Sequence, residues 1–394
     1  MVRYAKRFEQ LTSTDIADLL ALIAKPDIIS FAGGLPAKEL FPVEDLKQAG
    51  IAVMDEMGVA ACQYGSTDGV LPLREKIAAR MKAKNNIDTT AENILITSGS
   101  QQGLDFAARV FIDEGDVILV ESPTYLGAIN AFKACEPKFI EVPTDDDGMI
   151  PEELEKILAT TENIKMIYVI PDFQNPTGRT WSLERRHAFM KLVNEYEIPV
   201  MEDNPYGELR FENENMPALK SLDTKGLVAF LGTFSKIMVP GFRLGWVCAD
   251  KEMLDRFNTI KQGADLQTAS LTQLQADKFM DMYDLDAHVA KIQEVYKHRR
   301  DVMLAAMKEY FPEEVKFTYP DGGLFTWVEL PDYISSREMA PQCIAKKVAY
   351  VPGASFFPNG GKDNCFRMNY SCMPDDKIIE GVKALGEVIK ANLK

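Results

Sequence analysis

A lysine and an arginine seven residues apart, Lys236 and Arg243, lie in "GTFSKIMVPGFRLGWV", residues 232–247. A run of small and hydroxyl residues, with Thr233 and Ser235, precedes the lysine, and an apolar strand-like run follows the arginine. A lysine amine can act as a nucleophile or carry a proton. Its ordinary pKa of about 10.4 keeps it protonated at neutral pH, so burial or a nearby cation must lower that value. Other short stretches carry complementary groups. "SGSQQG" (98–103) puts Gly99, Ser100 and Gln101 at the opening of a helix, whose free N–H groups attract anions. "ESPTYLG" (121–127) carries Tyr125, an aromatic plate on which a flat ring could stack. "PDFQNPTG" (171–178) carries Asn175 ahead of a proline that forces extended backbone and then a turn. "VMEDNPYGEL" (200–209) carries Asp203 and Tyr206. Taken singly, each has a plainer role. Ser100 or Asp203 can cap a helix, Tyr125 can pack at a rim, Asn175 can make an Asx turn and Lys236 can sit in solvent. "SGSQQG" is neither a Walker loop nor G-x-G-x-x-G.

The elements that must position these groups are apolar runs followed by polar, helix-like runs. Seven runs rich in Val, Ile and Leu read as strands: 92–99, 116–122, 138–143, 164–171, 198–203, 227–235 and 243–250. They alternate little, as strands buried on both faces of a mostly parallel sheet do. Between them, "SQQGLDFAARVFI" gathers Leu104, Ala107, Ala108 and Phe111 on one helical face. "SLERRHAFMKLVNEY" starts at Ser182, an N-cap, and gathers Phe189, Leu192, Val193 and Tyr196, with His187 on the solvent side. Strand and helix in alternation predict an α/β domain with helices on both faces. In such sheets ligands bind beyond the carboxyl ends of the strands, where all the stretches above fall. After about residue 285 the pattern changes to a long polar helix, then strand-like "KFTYPDGGLFTWVELP", "AYVPGASFF" and "CFRMNYS". The spacing predicts a large domain over 45–285 and a smaller α+β unit from 286–394, on which residues 1–44 dock.

One sheet edge thus offers an anion-binding helix start, an aromatic plate, an amide, an acid, a lysine and an arginine. In this combination the chain resembles the pyridoxal-phosphate enzymes of the aspartate aminotransferase fold (fold type I). The resemblance runs from "SFAGGLP" to "FRMNYS", and "QNPTG", "EDNPY" and Ser-Lys followed by Arg243 are its most specific elements. It implies that Lys236 forms a Schiff base with pyridoxal 5'-phosphate and then carries the α-proton. It implies that Gly99, Ser100, Gln101, Thr233, Ser235 and Arg243 form the phosphate cup, and that Arg243 is the cation beside Lys236. Asp203 would pair with the pyridine nitrogen, Asn175 and Tyr206 would bond the phenolic oxygen, and Tyr125 would stack on the ring. Tyr64, in "CQYGSTDG", matches a tyrosine that crosses a dimer interface to the neighbour's phosphate, which implies a homodimer with shared sites. Arg367 matches the arginine that clamps the substrate α-carboxylate, with Gly34 and Asn175 beside it.

The implied reaction moves an amino group from an α-amino acid to a 2-oxo acid, 2-oxoglutarate foremost, in a ping-pong cycle. "SFAGGLPAKELFP" and "KQGADLQT" are similar to the branch of 2-aminoadipate and kynurenine aminotransferases. Aminoadipate-preferring relatives carry an arginine in the N-terminal helix where this chain has Ala17, so an aromatic, aliphatic or broad donor range is expected. The rivals are β-elimination at the same site and the effector-sensing half of a transcription regulator. A net charge of −15 argues against nucleic acid or an anionic membrane as partner. Six cysteines without a CxxC pair and only three histidines offer no metal or disulfide framework. With no apolar leader or long apolar window, a cytoplasmic protein is expected.

Overall fold

The computed structural model describes residues 2–9 and 27–394. Ala17 lies outside the described residues. In chain order the strands are β1 (Ile29–Ser30), β2 (Ile94–Thr97), β3 (Val117–Ser122), β4 (Lys138–Asp145), β5 (Gly148–Met149), β6 (Ile164–Val169) and β7 (Val200–Asp203). They continue with β8 (Val228–Thr233), β9 (Gly245–Cys248), β10 (Lys316–Phe317), β11 (Phe325–Glu329), β12 (Val348–Ala349), β13 (Val351–Pro352) and β14 (Cys365–Asn369).

The main sheet has eight strands in the order β2-β9-β8-β7-β6-β3-β4-β5. The pairs from β4 through β3, β6 and β7 to β8 are parallel, and β9 runs antiparallel between β2 and β8. All seven strands read from the apolar runs are present. The eighth, β5, turns back on β4 as a two-residue antiparallel partner closed by Gly148 at φ +104°. A strand of two residues is too short to leave an apolar run in the sequence.

Successive side chains of a buried strand point to opposite faces. Ile118, Val120, Met166, Tyr168, Met201 and Leu231 pack with Leu104, Ala107 and Ala108 of the helix Ser100–Phe111 and with Phe257 of the helix Lys251–Ala264. Leu119, Ile167, Val169 and Val228 face the other way, onto Leu154 and Leu158 of Pro151–Thr160 and Phe189 and Val193 of Leu183–Tyr196. Each such side chain contributes about 1.5–3 kcal/mol when fully buried. Ser182 caps its helix by accepting from Arg185 N–H (3.3 Å), and His187 is exposed. Arg186, one residue earlier, is fully buried and paired with Asp172 at 2.8 Å.

Beyond the 26-residue helix Leu285–Tyr310, a second sheet runs β10-β11-β14-β13, all antiparallel. The N-terminal strand β1 pairs in parallel with β12, more than three hundred residues downstream. Asn369 N–H then donates to the Phe31 carbonyl (2.8 Å), and Asn369 Nδ2 donates to the Gly33 carbonyl (2.6 Å). These bonds tie the Phe31–Gly33 segment to β14 of the second sheet. Among the described residues, no helix is long and apolar enough to cross a membrane, and no group of three or more His, Cys, Asp or Glu could hold a metal ion.

Candidate active site

Each strand end contributes one wall. β2 ends before Gly99, held at φ +78°, and the helix Ser100–Phe111 opens at once. A side chain at Gly99 would be strained at that φ and would displace Arg243, because a Cβ would stand 2.4 Å from Arg243 Nη2. Tyr125 follows β3 and precedes the helix Leu126–Lys133. Asn175 lies in the loop after β6, Asp203 ends β7, and Thr233 ends β8 with Ser235 and Lys236 just beyond. Arg243, at φ +53°, sits two residues before the start of β9. Ser100, Gln101, Tyr125, Asn175, Asp203, Tyr206, Thr233, Ser235, Lys236 and Arg243 line one cavity of about 230 Å³ together with Ile170, Pro205 and Pro240.

Asp203 is buried and its Oδ2 accepts from the Tyr168 hydroxyl at 2.9 Å, while Oδ1 has no partner. A bare buried carboxylate oxygen costs about 1–3 kcal/mol. Burial pushes this carboxyl up to about 7, against the acidifying bond from Tyr168. The environment is one that a cationic ring nitrogen would relieve. Lys236 donates to the Gly34 carbonyl at 2.8 Å. Burial lowers its ammonium to about 8, and the Arg367 guanidinium contributes next. The sequence pointed to Arg243 as the neighbouring cation, but Arg243 has the smaller effect of the two. Thr233 Oγ1 donates to the Leu244 carbonyl (3.0 Å) and accepts from Ser235 N–H (3.1 Å), and both residues line the cavity with Ser100. Gln101 lines the cavity, but its side-chain amide donates to the Gly127 carbonyl (2.8 Å), which leaves the backbone N–H groups of the helix start as its donors toward an anion.

Arg367, on β14 opposite Trp327, closes the far side. Its Nη1 donates to Asn175 Oδ1 and its Nη2 to the Ala32 carbonyl, both at 2.7 Å. The guanidinium lies 4.2 Å from the Phe325 ring centroid and 5.1 Å from that of Phe356. Burial lowers its pKa to about 10, and its Nε is buried without a partner. Asn175 Nδ2 donates to the Tyr206 hydroxyl (3.3 Å), so Asn175 joins both halves of the cavity. Gly34 lies within reach of Phe325, whose Cζ would be 3.1 Å from an added Cβ. Tyr64 is not brought to this cavity: it is 78% exposed on the surface of the chain.

Several supporting residues escaped the reading of the sequence. Tyr168 is one; a tyrosine inside an apolar strand run must find a partner for its hydroxyl, and that was the available signal. Glu121 is another. Its buried carboxyl accepts from Ile170 N–H (2.9 Å) and Trp181 Nε1 (3.0 Å), pinning both ends of the loop that carries Asn175. Asp172 binds Arg186, Arg210 and Asn204, tying that loop to the segment after β7.

The residues fit pyridoxal phosphate: an orphaned carboxylate oxygen for a ring nitrogen, a helix start with hydroxyls and Arg243 for a phosphate, and a partly buried lysine in the same cavity. Residues 26–385 match the family described as aminotransferase class I and II. The aromatic-amino-acid aminotransferase 1 of Thermococcus litoralis is 43% identical over 99% of this chain and 96% of its own length. The crystal structure of Pyrococcus horikoshii kynurenine aminotransferase, in complex with PMP, superposes with a TM-score of 0.95 at 42% identity, covering 99% of this chain and 98% of that one. LysN, the α-aminoadipate aminotransferase of Thermus thermophilus, complexed with N-(5'-phosphopyridoxyl)-L-leucine, gives a TM-score of 0.92 at 37% identity over 98% and 97%. With cavity and kinship in agreement, the chain belongs to the class I and II aminotransferases and is a pyridoxal-phosphate-dependent enzyme of amino-group transfer.

Proposed function

We propose that Lys236 is the covalent anchor and proton carrier of this enzyme, and that Arg367 and Asp203 hold substrate and cofactor on either side of it. The observation that carries the reading is Asp203 Oδ1, buried and bare at the end of β7 in the cavity that Lys236 lines. When bound, pyridoxal phosphate supplies an aldehyde that takes up the amino group and a ring that draws off the electron pair of the α-carbon. Asp203 Oδ1 would hold a proton at the ring nitrogen. Gly99, Ser100 and Gln101 offer backbone N–H groups, and Thr233, Ser235 and Arg243 offer hydroxyls and a charge, to the phosphate. Tyr125 would stack on the ring, and Asn175 and Tyr206 would bond its phenolic oxygen. Arg367 grips the α-carboxylate with a planar fork that a lysine lacks, with Gly34 beside it. Lys236 Nζ takes the proton from the α-carbon and returns it one position along; a pKa near 8 suits an amine to both tasks.

The finer reading is a ping-pong cycle with 2-oxoglutarate as acceptor. An aromatic, aliphatic or broad donor range is favoured over an acidic one. Supporting it, among the described residues the cations that line the cavity or clamp its far side are Lys236, Arg243 and Arg367, each already assigned a task, and Phe325 and Phe356 add apolar surface. We further infer a homodimer in which Tyr64 of one subunit reaches the phosphate of the other. The exposure of Tyr64, Val59 and Leu266 supports it, since apolar patches mark contact surfaces. The six unpaired thiols support a reducing, cytoplasmic compartment. The division into a large domain, 45–285, and a small unit of 1–44 with 286–394 belongs to the same reading.

The test is a visible spectrum of the purified protein before and after a panel of amino acids. The expected result is an absorbance band that bleaches with a donor, releases a 2-oxo acid, and returns with 2-oxoglutarate. Pyruvate and ammonia formed from one substrate without an acceptor would instead favour elimination and end this reading.

A further inference from the structure

Behind the helix start that carries Ser100 lies a lysine that touches neither solvent nor cavity. Lys261, on the helix Lys251–Ala264, is fully buried. Its ammonium donates to Asp265 Oδ1 (2.8 Å) and Oδ2 (3.0 Å), to Gln102 Oε1 (3.1 Å) and to Thr268 Oγ1 (3.0 Å). Three acceptor groups thus saturate its three N–H donors. Gln102 Oε1 also accepts from Ser98 N–H (2.9 Å). Gln102 Nε2 and Ser98 Oγ both donate to Asp265 Oδ2, at 2.8 and 3.3 Å. Backbone and side chain of Ser98 are therefore fixed by one network of hydrogen bonds anchored on the buried Lys261 ammonium, and Ser98 is the residue before Gly99 and Ser100.

The position of Ser98 matters because the next residue, Gly99, packs directly against the Arg243 guanidinium. Gly99 already sits where a Cβ would strike Arg243, so a small shift of Ser98 changes how the helix-start N–H groups and the guanidinium face a common anion. An apolar side chain would fill the space without the cost of burying an ammonium. Asp265 offsets the charge of Lys261, which leaves geometry as its main effect.

We propose that Lys261 is a positioning residue for the phosphate end of the cofactor site. Through Gln102 and Ser98 it sets the N–H groups of Gly99–Gln101 against Arg243. The proposal rests on the reading of Lys236, Asp203 and the helix start as a pyridoxal-phosphate site. It predicts an effect confined to ligands that carry the phosphate.

The experiment compares equilibrium binding of pyridoxal 5'-phosphate and of pyridoxal, which shares the aldehyde and ring but lacks the phosphate, to the cofactor-free chain. The variants are Lys261→Met and Gln102→Met; the second cuts the link to Ser98 and keeps the Lys261–Asp265 pair. Each variant is expected to bind pyridoxal phosphate about tenfold or more weakly, with pyridoxal within about twofold of wild type. The double variant should be little worse than either single one, because both break one chain of bonds. If Lys261→Met does not fold, Gln102→Met decides alone. Unchanged affinity for pyridoxal phosphate, or equal weakening for both compounds, would overturn the proposal. A wild-type chain that binds neither compound would overturn the cofactor reading itself and this proposal with it.

Discussion

Around Lys236 and Asp203 the cavity wall is the carboxyl edge of one sheet, whereas around Arg367 it is assembled from distant pieces of chain. Asp203 and Thr233 are the last residues of adjacent parallel strands, and the backbone ladder fixes their spacing. Arg367 takes its place from β14, an amide at Asn175 and a carbonyl at Ala32, the last of these 335 residues away in sequence. The first half is held by one rigid element. The second depends on packing between segments and on two aromatic rings that strip water from the guanidinium. The contrast teaches which perturbations should stay local. Damage at Arg367 should spare the cofactor, and damage at the sheet edge should not.

The sharpest break of that contrast is Lys236→Ala. It should abolish the covalent linkage and lower transamination by about 10³-fold or more, read from the absorbance band and from 2-oxo acid release. Arg367→Lys comes next. A single ammonium cannot make the forked contact, so kcat/KM for the amino donor should fall by about 100-fold while the dissociation constant of pyridoxal phosphate stays put. If the cofactor constant rises in step, the two halves are not separable.

Tyr168→Phe should do less and should act on the sheet-edge half alone. Without the hydroxyl, Asp203 loses its acidifying partner and becomes more basic, so the proton shared with the ring nitrogen moves toward the carboxylate. The account expects about tenfold slower turnover, a displaced pH titration of the cofactor band and an unchanged KM for the donor. The smallest effect is one of pH in the unmodified chain. Capture of pyridoxal phosphate needs the neutral Lys236 amine, and its pKa is lowered to about 8. The capture rate should therefore rise with pH and level off above about 8, whereas an ordinary lysine would still be gaining near pH 10. A rate that keeps climbing would show that Lys236 is not desolvated.

The same contrast explains what is legible in the sequence. The seven long strands can be read because each is a continuous apolar run, and the residues at their ends then fall on one edge by the logic of a parallel sheet. Lys236, Asp203, Asn175 and Arg243 are visible as members of one site for that reason. β5 is not visible, because two residues carry no pattern. Tyr168, Glu121 and Lys261 are hidden differently. Each is a polar group in an apolar or amphipathic run, and its partner is set by register or by a turn rather than by spacing. Tyr168 registers with Met201, two residues before Asp203, and only the sheet reveals that. The side chain of Gln101 turned away to Gly127 for a similarly local reason, the nearness of the helix that follows β3.

The most direct test of the central claim is to reduce the cofactor-loaded protein with borohydride and map the modified peptide by mass spectrometry. The account predicts one phosphopyridoxyl group per chain, on Lys236. A group on any other lysine, or none, would contradict it.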